Sequence, residues 1–358
     1  MPRRAAAAGR RLAFCAAVIA LGLAGGCSSA GYLASSAGGH LALLRAARPV
    51  DAWLTDAATP AALRERLALS QRMRDFAVAE LHLPDNASYR RYADLHRPAA
   101  VWNVVAAPEL GLTLKTSCFP VVGCVGYRGY FDRAAADAQA AAWRAAGDDV
   151  AVYGVPAYST LGRLPGAWFA DPLLNTFIGY PEIELARLMF HELAHQIAYA
   201  AGDTVFNESF ATTVERIGAA RWAATRAGAA ARADYAAFDA RRGDFRALAG
   251  ATRQALDALY RGAASEADKR AGKAALLERM RAGHRALKAG PWQGFAGYDG
   301  WFERANNASL AVLGAYDDLV PRFERLFDAA GGDLPRFYAE VRRLATLPAA
   351  ERRAALAG

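Results

Sequence analysis

The amino-acid sequence predicts an α+β protein that is predominantly α-helical, with a small β-sheet before a central helix and a helical C-terminal part. Three observations support this fold class. Apolar residues recur at helical spacing over most of the chain, strand-like segments bounded by Pro and Gly are confined to residues 100–155, and no internal repeat is present. The 358 residues are 54% hydrophobic and 22% charged, which excludes a disordered or fibrous protein.

The first residues have the features of an export signal. Four arginines lie among the first eleven residues, an apolar run extends from Leu12 to Leu23, and small residues precede Cys27. A basic region, a short apolar region and small residues before a cleavage point are typical of such signals. The apolar run is shorter than the roughly 20 residues of a membrane span. We therefore expect residues 1–26 to be removed on export.

The cysteine at position 27 resembles the acylated cysteine of bacterial lipoproteins, because it directly follows the small residues. The resemblance implies a protein that is lipid-anchored through Cys27 in the bacterial cell envelope and faces the periplasm. Residues 27–38 are then a tether, and residues 39–358 form a single domain. An ordinary secretory signal and an uncleaved membrane anchor are the alternatives. The residues indicate no particular oligomeric state.

The charge of the chain gives little support to nucleic-acid binding. The formal charge of +8 falls to +4 once the four arginines of residues 1–26 are removed. The remaining basic residues lie among acidic ones, as in Arg64-Glu65-Arg66, and no basic stripe alternates with aromatic residues. We therefore expect no nucleic-acid partner.

Upstream of residue 160 the pattern changes from helical to strand-like. Residues 39–58 and 60–81 show helical spacing, with Pro60 near the first turn of the second helix. Four strands are predicted, over residues 100–106, 111–114, 125–130 and 150–155. A helix over residues 132–146 separates the last two strands.

Downstream of the strands the chain is predicted to be almost entirely helical. A Gly- and Pro-rich loop over residues 158–180 leads into a helix over residues 181–196, which starts at a proline. Gly202 supplies the stop after that helix. Helical patterning resumes from about residue 207, and breaks are predicted near Gly262, residues 290–300 and Gly331-Gly332.

Two cysteines of the expected domain, Cys118 and Cys124, lie six positions apart with Pro and Gly between them. An oxidising compartment allows a disulfide between them. Two buried free thiols are the alternative. A metal site at these cysteines is disfavoured, because no second Cys/His pair lies nearby at ligand spacing.

The helix over residues 181–196 carries the residues that point to chemistry. His191 and His195 lie four positions apart, so their imidazoles share one helical face and can converge on one ion. Glu192 is rotated by about 100° from His191 and borders that face, near enough to act on a water bound to the ion. A helix that buries two hydrogen-bonded histidines is the alternative, and it gives no reason for a third ligand to follow.

Two glutamates that follow can complete such a site. Glu208 and Glu215 are seven positions apart, which is two helical turns, so they share a face. One carboxylate can complete a His₂Glu zinc set, and the other can accept the spare N–H of a ligating histidine. Asn207 is a candidate N-cap for this second helix. Ordinary first-turn and surface acids are the alternative for the two glutamates.

These motifs together resemble those of a known group of enzymes. The run HELAHQ over residues 191–196, the run NESFA over residues 207–211 and Glu215 are similar to the gluzincin metallopeptidases, especially the alanyl-aminopeptidase-like group. A longer match, which includes the segment from Cys118 to Cys124 and residues 158–172, resembles bacterial lipoproteins called predicted aminopeptidases. Two departures are visible: the spacing between HELAHQ and NESFA is shorter than in the aminopeptidases, and their Gly-x-Met-Glu-Asn segment is absent from the sequence.

The resemblance implies a zincin-like catalytic domain that hydrolyses peptides with one Zn²⁺ per chain. It makes His191, His195 and Glu208 the metal ligands, Glu192 the general base and acid, and Glu215 the support of a ligand. An oxyanion donor is also expected, and the candidates are Tyr158, Tyr180, His284 and Tyr298. The alternative functions are a catalytically silent envelope lipoprotein that binds a partner, and a zinc amidase that acts on cell-wall peptides.

Overall fold

A computed structural model describes residues 31–32, 35–119, 123–158 and 166–356. The predicted signal over residues 1–26 and the predicted lipidation site Cys27 lie outside these residues. The chain divides into two units, Met1–Arg45 and Ala46–Gly358. In the first unit, the described residues are helical. A search of the described part of the chain for a helix long and apolar enough to cross a membrane finds none.

The second unit is predominantly α-helical with a few small sheets, which confirms the predicted α+β class. Its strands are β1 (Arg48–Pro49), β2 (Arg91–Ala93), β3 (Val101–Pro108), β4 (Ser117–Phe119), β5 (Gly123–Val125), β6 (Arg128–Tyr130), β7 (Asp148–Val155) and β8 (Leu173–Leu174). Its helices are α1 (Val50–Thr55), α2 (Ala61–Ala79), α3 (Arg133–Ala145), α4 (Glu182–Ala194), α5 (Thr204–Thr225), α6 (Ala229–Arg261), α7 (Glu266–Ala289), α8 (Asp299–Arg304), α9 (Asn307–Asp317), α10 (Val320–Ala329), α11 (Leu334–Ala345) and α12 (Ala349–Ala355).

Strand β3 is the centre of the main sheet, where it pairs antiparallel with β6 on one side and β7 on the other. Successive side chains of a strand point to opposite faces, and both faces of β3 are covered. Val104 and Ala106 pack against α3, whereas Val105 and Ala107 pack against Ala308 of α9. This double burial explains why the strand is apolar at nearly every position.

Three of the predicted elements differ from the structure. The predicted helix over residues 39–58 is interrupted, because Arg48–Pro49 form β1 and pair with β2. Residues 111–116 form no strand: the chain turns at Gly111, whose N–H donates to the carbonyl of Pro108, and the apolar Leu112 and Leu114 pack onto neighbouring clusters instead. The predicted strand over residues 125–130 is divided between β5 and β6, which belong to different sheets. β4 and β5 form a hairpin in which Cys118 and Cys124 are paired and joined by a disulfide.

Helices α4 and α5 are joined by a tight turn and pack against each other. Gly202 adopts a φ of 77° in this turn, a left-handed conformation that favours glycine. Gly218 of α5 lies so close to α4 that a Cβ there would be 2.6 Å from Cδ2 of Phe190. The side chain of Asp203, rather than Asn207, caps α5, because it accepts the N–H of Phe206 at 3.0 Å.

The amide of Asn207 has another role, since it closes the connection between α4 and α5. Its Oδ1 accepts the N–H of Ala200 at 2.8 Å, and its Nδ2 donates to the carbonyl of Ala200 at 2.9 Å. These two bonds hold the beginning of α5 against the end of α4, and this arrangement positions the residues of the candidate site.

The rest of the second unit is helical, as predicted. Helices α6 and α7 enclose an aromatic cluster centred on Phe245, Trp292 and Phe302. Gly262 follows α6 and Gly290 follows α7, where breaks were expected. Gly331 and Gly332, both with a positive φ, end the turn after α10.

Candidate metal centre

The last turn of α4 and the first turns of α5 bring two histidines and a glutamate together. His191, His195 and Glu208 each offer one ligand atom, and these three atoms lie within 4.8 Å of one another. The Nε2 atoms of His191 and His195 lie 3.2 Å and 3.6 Å from the same oxygen, Oε2 of Glu208. Both histidines are buried.

These distances and this donor set fit a zinc ion. Bonds of about 2.0–2.2 Å at tetrahedral angles place neighbouring ligand atoms about 3.4 Å apart, which is close to the two observed separations. Two imidazole nitrogens and one carboxylate oxygen are a common set at catalytic zinc sites. The two imidazole rings are nearly perpendicular, at 84°, so their Nε2 atoms approach the shared point from different directions.

The second nitrogen of His191 is held by a carboxylate. Oε2 of Glu215 lies 2.9 Å from Nδ1 of His191. Because a carboxylate only accepts hydrogen bonds, Nδ1 carries a proton, which makes Nε2 the nitrogen that would bind a metal. Nδ1 of His195 is also buried, and it has no hydrogen-bond partner within the described part of the chain.

A buried arginine, Arg187, supports Glu215 in turn. Its guanidinium donates to Oε1 of Glu215 and lies 3.6 Å from Oδ1 of Asp239. Sequence reasoning missed Arg187, although a signal was present. Arg187 lies four positions before His191 in an otherwise apolar run, and a charged residue on the buried face of a helix needs a partner.

The electrostatics of these groups favour a bound cation. Burial raises the pKa of Glu215, but Arg187 and His191 outweigh burial and bring the pKa to about 2. The pKa of Glu208 also lies well below its usual range, because His195 and His191 outweigh the effect of burial. Both carboxylates are therefore ionised at neutral pH. Burial alone would lower the pKa of His191, but its hydrogen bonds to Glu208 and Glu215 raise it.

Glu192 borders the three candidate ligands. It is partly exposed, unlike the histidines on either side of it. Burial raises its pKa, the nearby histidines lower it, and the charge of Glu208 raises it further, so the net effect is upward. A carboxylate with a raised pKa is a better proton acceptor than an ordinary surface glutamate.

A comparison with protein families places this arrangement in context. A family profile described as "Putative aminopeptidase" matches residues 31–356, nearly the whole described chain. The chain belongs to the Putative aminopeptidase family. This match confirms the predicted aminopeptidase family, and its description names neither a metal nor a lipid anchor. Comparisons with curated proteins and with solved structures find no match.

In this member of the Putative aminopeptidase family, three of the four predicted oxyanion donors pack against aromatic rings, and the fourth, Tyr180, is exposed. Tyr158 packs against Phe131, with ring centroids 4.9 Å apart. Tyr180 is 37% exposed and precedes α4, roughly 16 Å along the helix from His191. His284 and Tyr298 pack into the aromatic cluster of α6 and α7, where His284 stacks on Phe302 at 4.3 Å and Tyr298 stacks on Phe245 at 4.6 Å.

Two tyrosines that sequence reasoning did not single out lie near the carboxylates. Burial raises the pKa of Tyr127, and the charge of Glu208 raises it further. Burial likewise raises the pKa of Tyr153, to about 12, with a contribution from Glu208, although a hydrogen bond to Asn103 lowers it. Tyr127 follows β5 and Tyr153 lies in β7. Their position depends on strand pairing, so residue spacing alone does not reveal it.

Both tyrosines line a cavity of about 250 Å³, here called the hairpin cavity. It lies between the disulfide hairpin and the start of α5. Its lining residues are Leu114, Thr116, Cys124, Gly126, Tyr127, Tyr153, Gly202, Asp203, Thr204, Val205, Val312 and Arg353. In this member of the Putative aminopeptidase family, the cavity and the candidate metal centre share the first turns of α5, although His191, His195 and Glu208 are not among the lining residues.

Proposed function

We propose that this protein is a zinc-dependent peptide hydrolase that acts as an aminopeptidase. The observation that carries the proposal is the convergence of His191, His195 and Glu208 on one point, with Glu192 beside them, in a member of the Putative aminopeptidase family. In a catalytically silent binding protein, nothing would be gained by keeping all of these groups together in one place.

The three convergent side chains would hold one Zn²⁺. A zinc ion in such a site lowers the pKa of a coordinated water towards about 7 and polarises the substrate carbonyl. Glu215 keeps the ring of His191 in the orientation and tautomer that present Nε2. Arg187 holds Glu215 ionised and in place.

Glu192 would act as the general base and then as the general acid. Its carboxylate accepts a proton from the attacking water and returns that proton to the nitrogen of the leaving amine. Its raised pKa supports this role, because a base that is too weak cannot remove the proton. Tyr127 and Tyr153 are candidates for the donor to the oxyanion, since the charge of Glu208 acts on both hydroxyls.

We further propose that the chain is exported and anchored by a lipid on Cys27, facing the periplasm. The basic, apolar and small residues of positions 1–26 support this proposal. Replacement of Cys27 by Ser should release the protein from membranes. Continued membrane association would contradict lipidation and favour an uncleaved anchor.

The variant Glu192→Gln tests the enzymatic proposal. It should keep the zinc of the parent protein but lose peptide hydrolysis, because the amide cannot accept the proton. Glu278→Gln, a change at an exposed glutamate of α7, is the matched control and should keep full activity. Unchanged turnover in Glu192→Gln would remove Glu192 as the base.

The aminopeptidase assignment has a separate test. Peptides with a free amine should be cleaved one residue at a time from the N-terminus, and their N-acetylated forms should resist hydrolysis. Equal hydrolysis of both forms would contradict the aminopeptidase assignment and would favour a zinc peptidase or amidase of another specificity.

A further inference from the structure

The hairpin cavity adjoins the candidate metal centre. Thr204 lines the cavity, and Glu208 lies four residues later in α5, on the same helical face and one turn away. The hydroxyls of Tyr127 and Tyr153, which also line the cavity, are close enough for Glu208 to act on them. The cavity and the metal centre therefore lie about one helical turn apart along α5, and we expect a substrate bound at the metal centre to reach into the cavity.

A positively charged cluster lies at the start of α5, more than one helical turn before Glu208. Asp203 accepts hydrogen bonds from Nη1 of Arg352 at 2.6 Å and from Nη2 of Arg353 at 2.7 Å. The cluster contains one carboxylate and two guanidinium groups, so the net charge of the cluster is +1. A third arginine, Arg322, donates to the carbonyl of Arg353 at 3.4 Å and adds positive charge nearby.

The two arginines of the cluster differ in what they can still bind. Arg352 is buried, stacks on the ring of Phe206 at 5.0 Å, and donates to several backbone carbonyls of its own segment. The side chain of Arg353 is 40% exposed and lines the cavity. A guanidinium has five N–H donors in a planar fork, so Arg353 can bind a second carboxylate while it holds Asp203.

The remaining walls of the cavity suit small side chains. Leu114, Val205 and Val312 are apolar, and the rings of two tyrosines add further apolar surface. The volume of about 250 Å³ is below the roughly 300–1,000 Å³ of pockets for drug-sized ligands. The small volume therefore limits an occupant to a few small residues.

We propose that the hairpin cavity is a subsite for the carboxylate-bearing end of a short peptide substrate, and that Arg353 binds this carboxylate. The inference rests on the proposed peptide hydrolase function. Asp203 precedes Glu208 by five residues, about 7.5 Å of helical rise, and an extended peptide covers about 3.3–3.6 Å per residue. The carboxylate then lies two or three residues beyond the scissile bond, so tripeptides and tetrapeptides are the favoured substrates.

A comparison of matched peptides on the wild-type protein tests the subsite. The probes are Ala-Ala-Ala, its C-terminal amide, and the amide of Ala-Ala-Asp, which restores a carboxylate on a side chain. The free acid should have a kcat/KM at least about tenfold above that of its amide, mainly through KM, because a charged hydrogen bond is lost in the amide. A higher rate for the Asp-containing amide than for the Ala-Ala-Ala amide would show that the subsite also accepts a side-chain carboxylate.

Variants at Arg353 then identify the group that binds the carboxylate. Arg353→Ala should abolish the preference for the acid over the amide, and Arg353→Lys should retain part of it. The matched control is Arg342→Ala, at an exposed arginine of α11, which should keep the preference. The ratio of acid to amide rates separates recognition from a structural role, since misfolding lowers both rates together.

Each failure has a distinct signature. Equal rates for acid and amide in the wild-type protein would overturn the subsite while leaving the hydrolase proposal intact. A preference that survives in a folded Arg353→Ala would overturn the assignment of Arg353. If Arg353→Ala does not fold, the Arg353→Lys variant and the wild-type comparison decide in its place. Absence of hydrolysis for every peptide would overturn the proposed function together with the subsite.

Discussion

Removal of the charge of Arg187 should weaken zinc binding, although Arg187 acts only through Glu215. In Arg187→Met, Glu215 loses the guanidinium that holds its carboxylate against Nδ1 of His191. Groups that orient a metal ligand in this way are typically worth about 10–100-fold in metal affinity. We therefore expect the Kd for zinc to rise by about this factor.

The same substitution should destabilise the metal-free protein. The pKa of Glu215 falls from its ordinary 4.5 to about 2 on folding, which corresponds to about 3 kcal/mol at 1.36 kcal/mol per pH unit. Arg187 and His191 together produce this net shift against the opposing effect of burial, so we expect Arg187→Met to lower the free energy of unfolding by roughly 3 kcal/mol. Because the folded-state pKa is depressed, the stabilisation is complete above the unfolded value of 4.5 and is lost as the pH falls towards 2.

Two measurements check this prediction. Competition with a chromophoric chelator gives the Kd for zinc, and urea unfolding of chelator-treated protein gives the free energy of unfolding at pH 7 and pH 3. The difference between wild type and Arg187→Met should be smaller at pH 3. The matched control is Arg242→Met, at a partly buried arginine that bonds Glu184 at 2.6 Å and shares Asp239 with Arg187. Equal zinc affinities for the two variants would refute the reasoning.

Two further predictions concern the packing and the chemistry of the same site. Gly218→Val should lower the free energy of unfolding by about 1–3 kcal/mol, because its Cβ would lie 2.6 Å from Phe190. The control is Gly250→Ala, whose Cβ meets no atom within 4 Å. Thermal unfolding compares the two variants, and equal melting temperatures would contradict the close packing of α4 and α5. Tyr127→Phe should lower kcat by about a hundredfold without loss of zinc, whereas Tyr180→Phe, at the exposed tyrosine before α4, should not. A larger loss of kcat for Tyr180→Phe would contradict the assignment of Tyr127.

The helical part of the candidate site could be predicted because it depends on local geometry. Residues four positions apart share a helical face whatever the rest of the fold does, so His191 and His195 had to face the same way. Glu208 and Glu215 share a face for the same reason. The turn at Gly202 needed only a local signal, since a glycine between two helical patterns is a common stop.

Residues that depend on tertiary pairing could not be predicted in this way. Tyr127 and Tyr153 approach Glu208 only because the chain around β5 and β6 and strand β7 are packed beside α5. Arg353 reaches the hairpin cavity from the end of the chain, 150 positions after its partner Asp203. Spacing in the sequence carries no information about such contacts.

The weakest predictions concerned short strands. β1, β2 and β8 have two or three residues each, too few for an alternating pattern, and they pair over long separations in the chain. Leu112 and Leu114 led to a strand being predicted where the structure has a loop. In the sequence, apolar side chains that pack from a loop cannot be distinguished from those of a strand.

Zinc content tests the central claim most directly. The purified wild-type protein should contain about one zinc per chain, measured by elemental analysis, or should take up one zinc after chelation and dialysis. His195→Ala and Glu208→Ala should each lose most of this zinc while the Arg342→Ala control keeps it. A wild-type protein that contains no zinc and takes up none, or full occupancy in both ligand variants, would contradict the account.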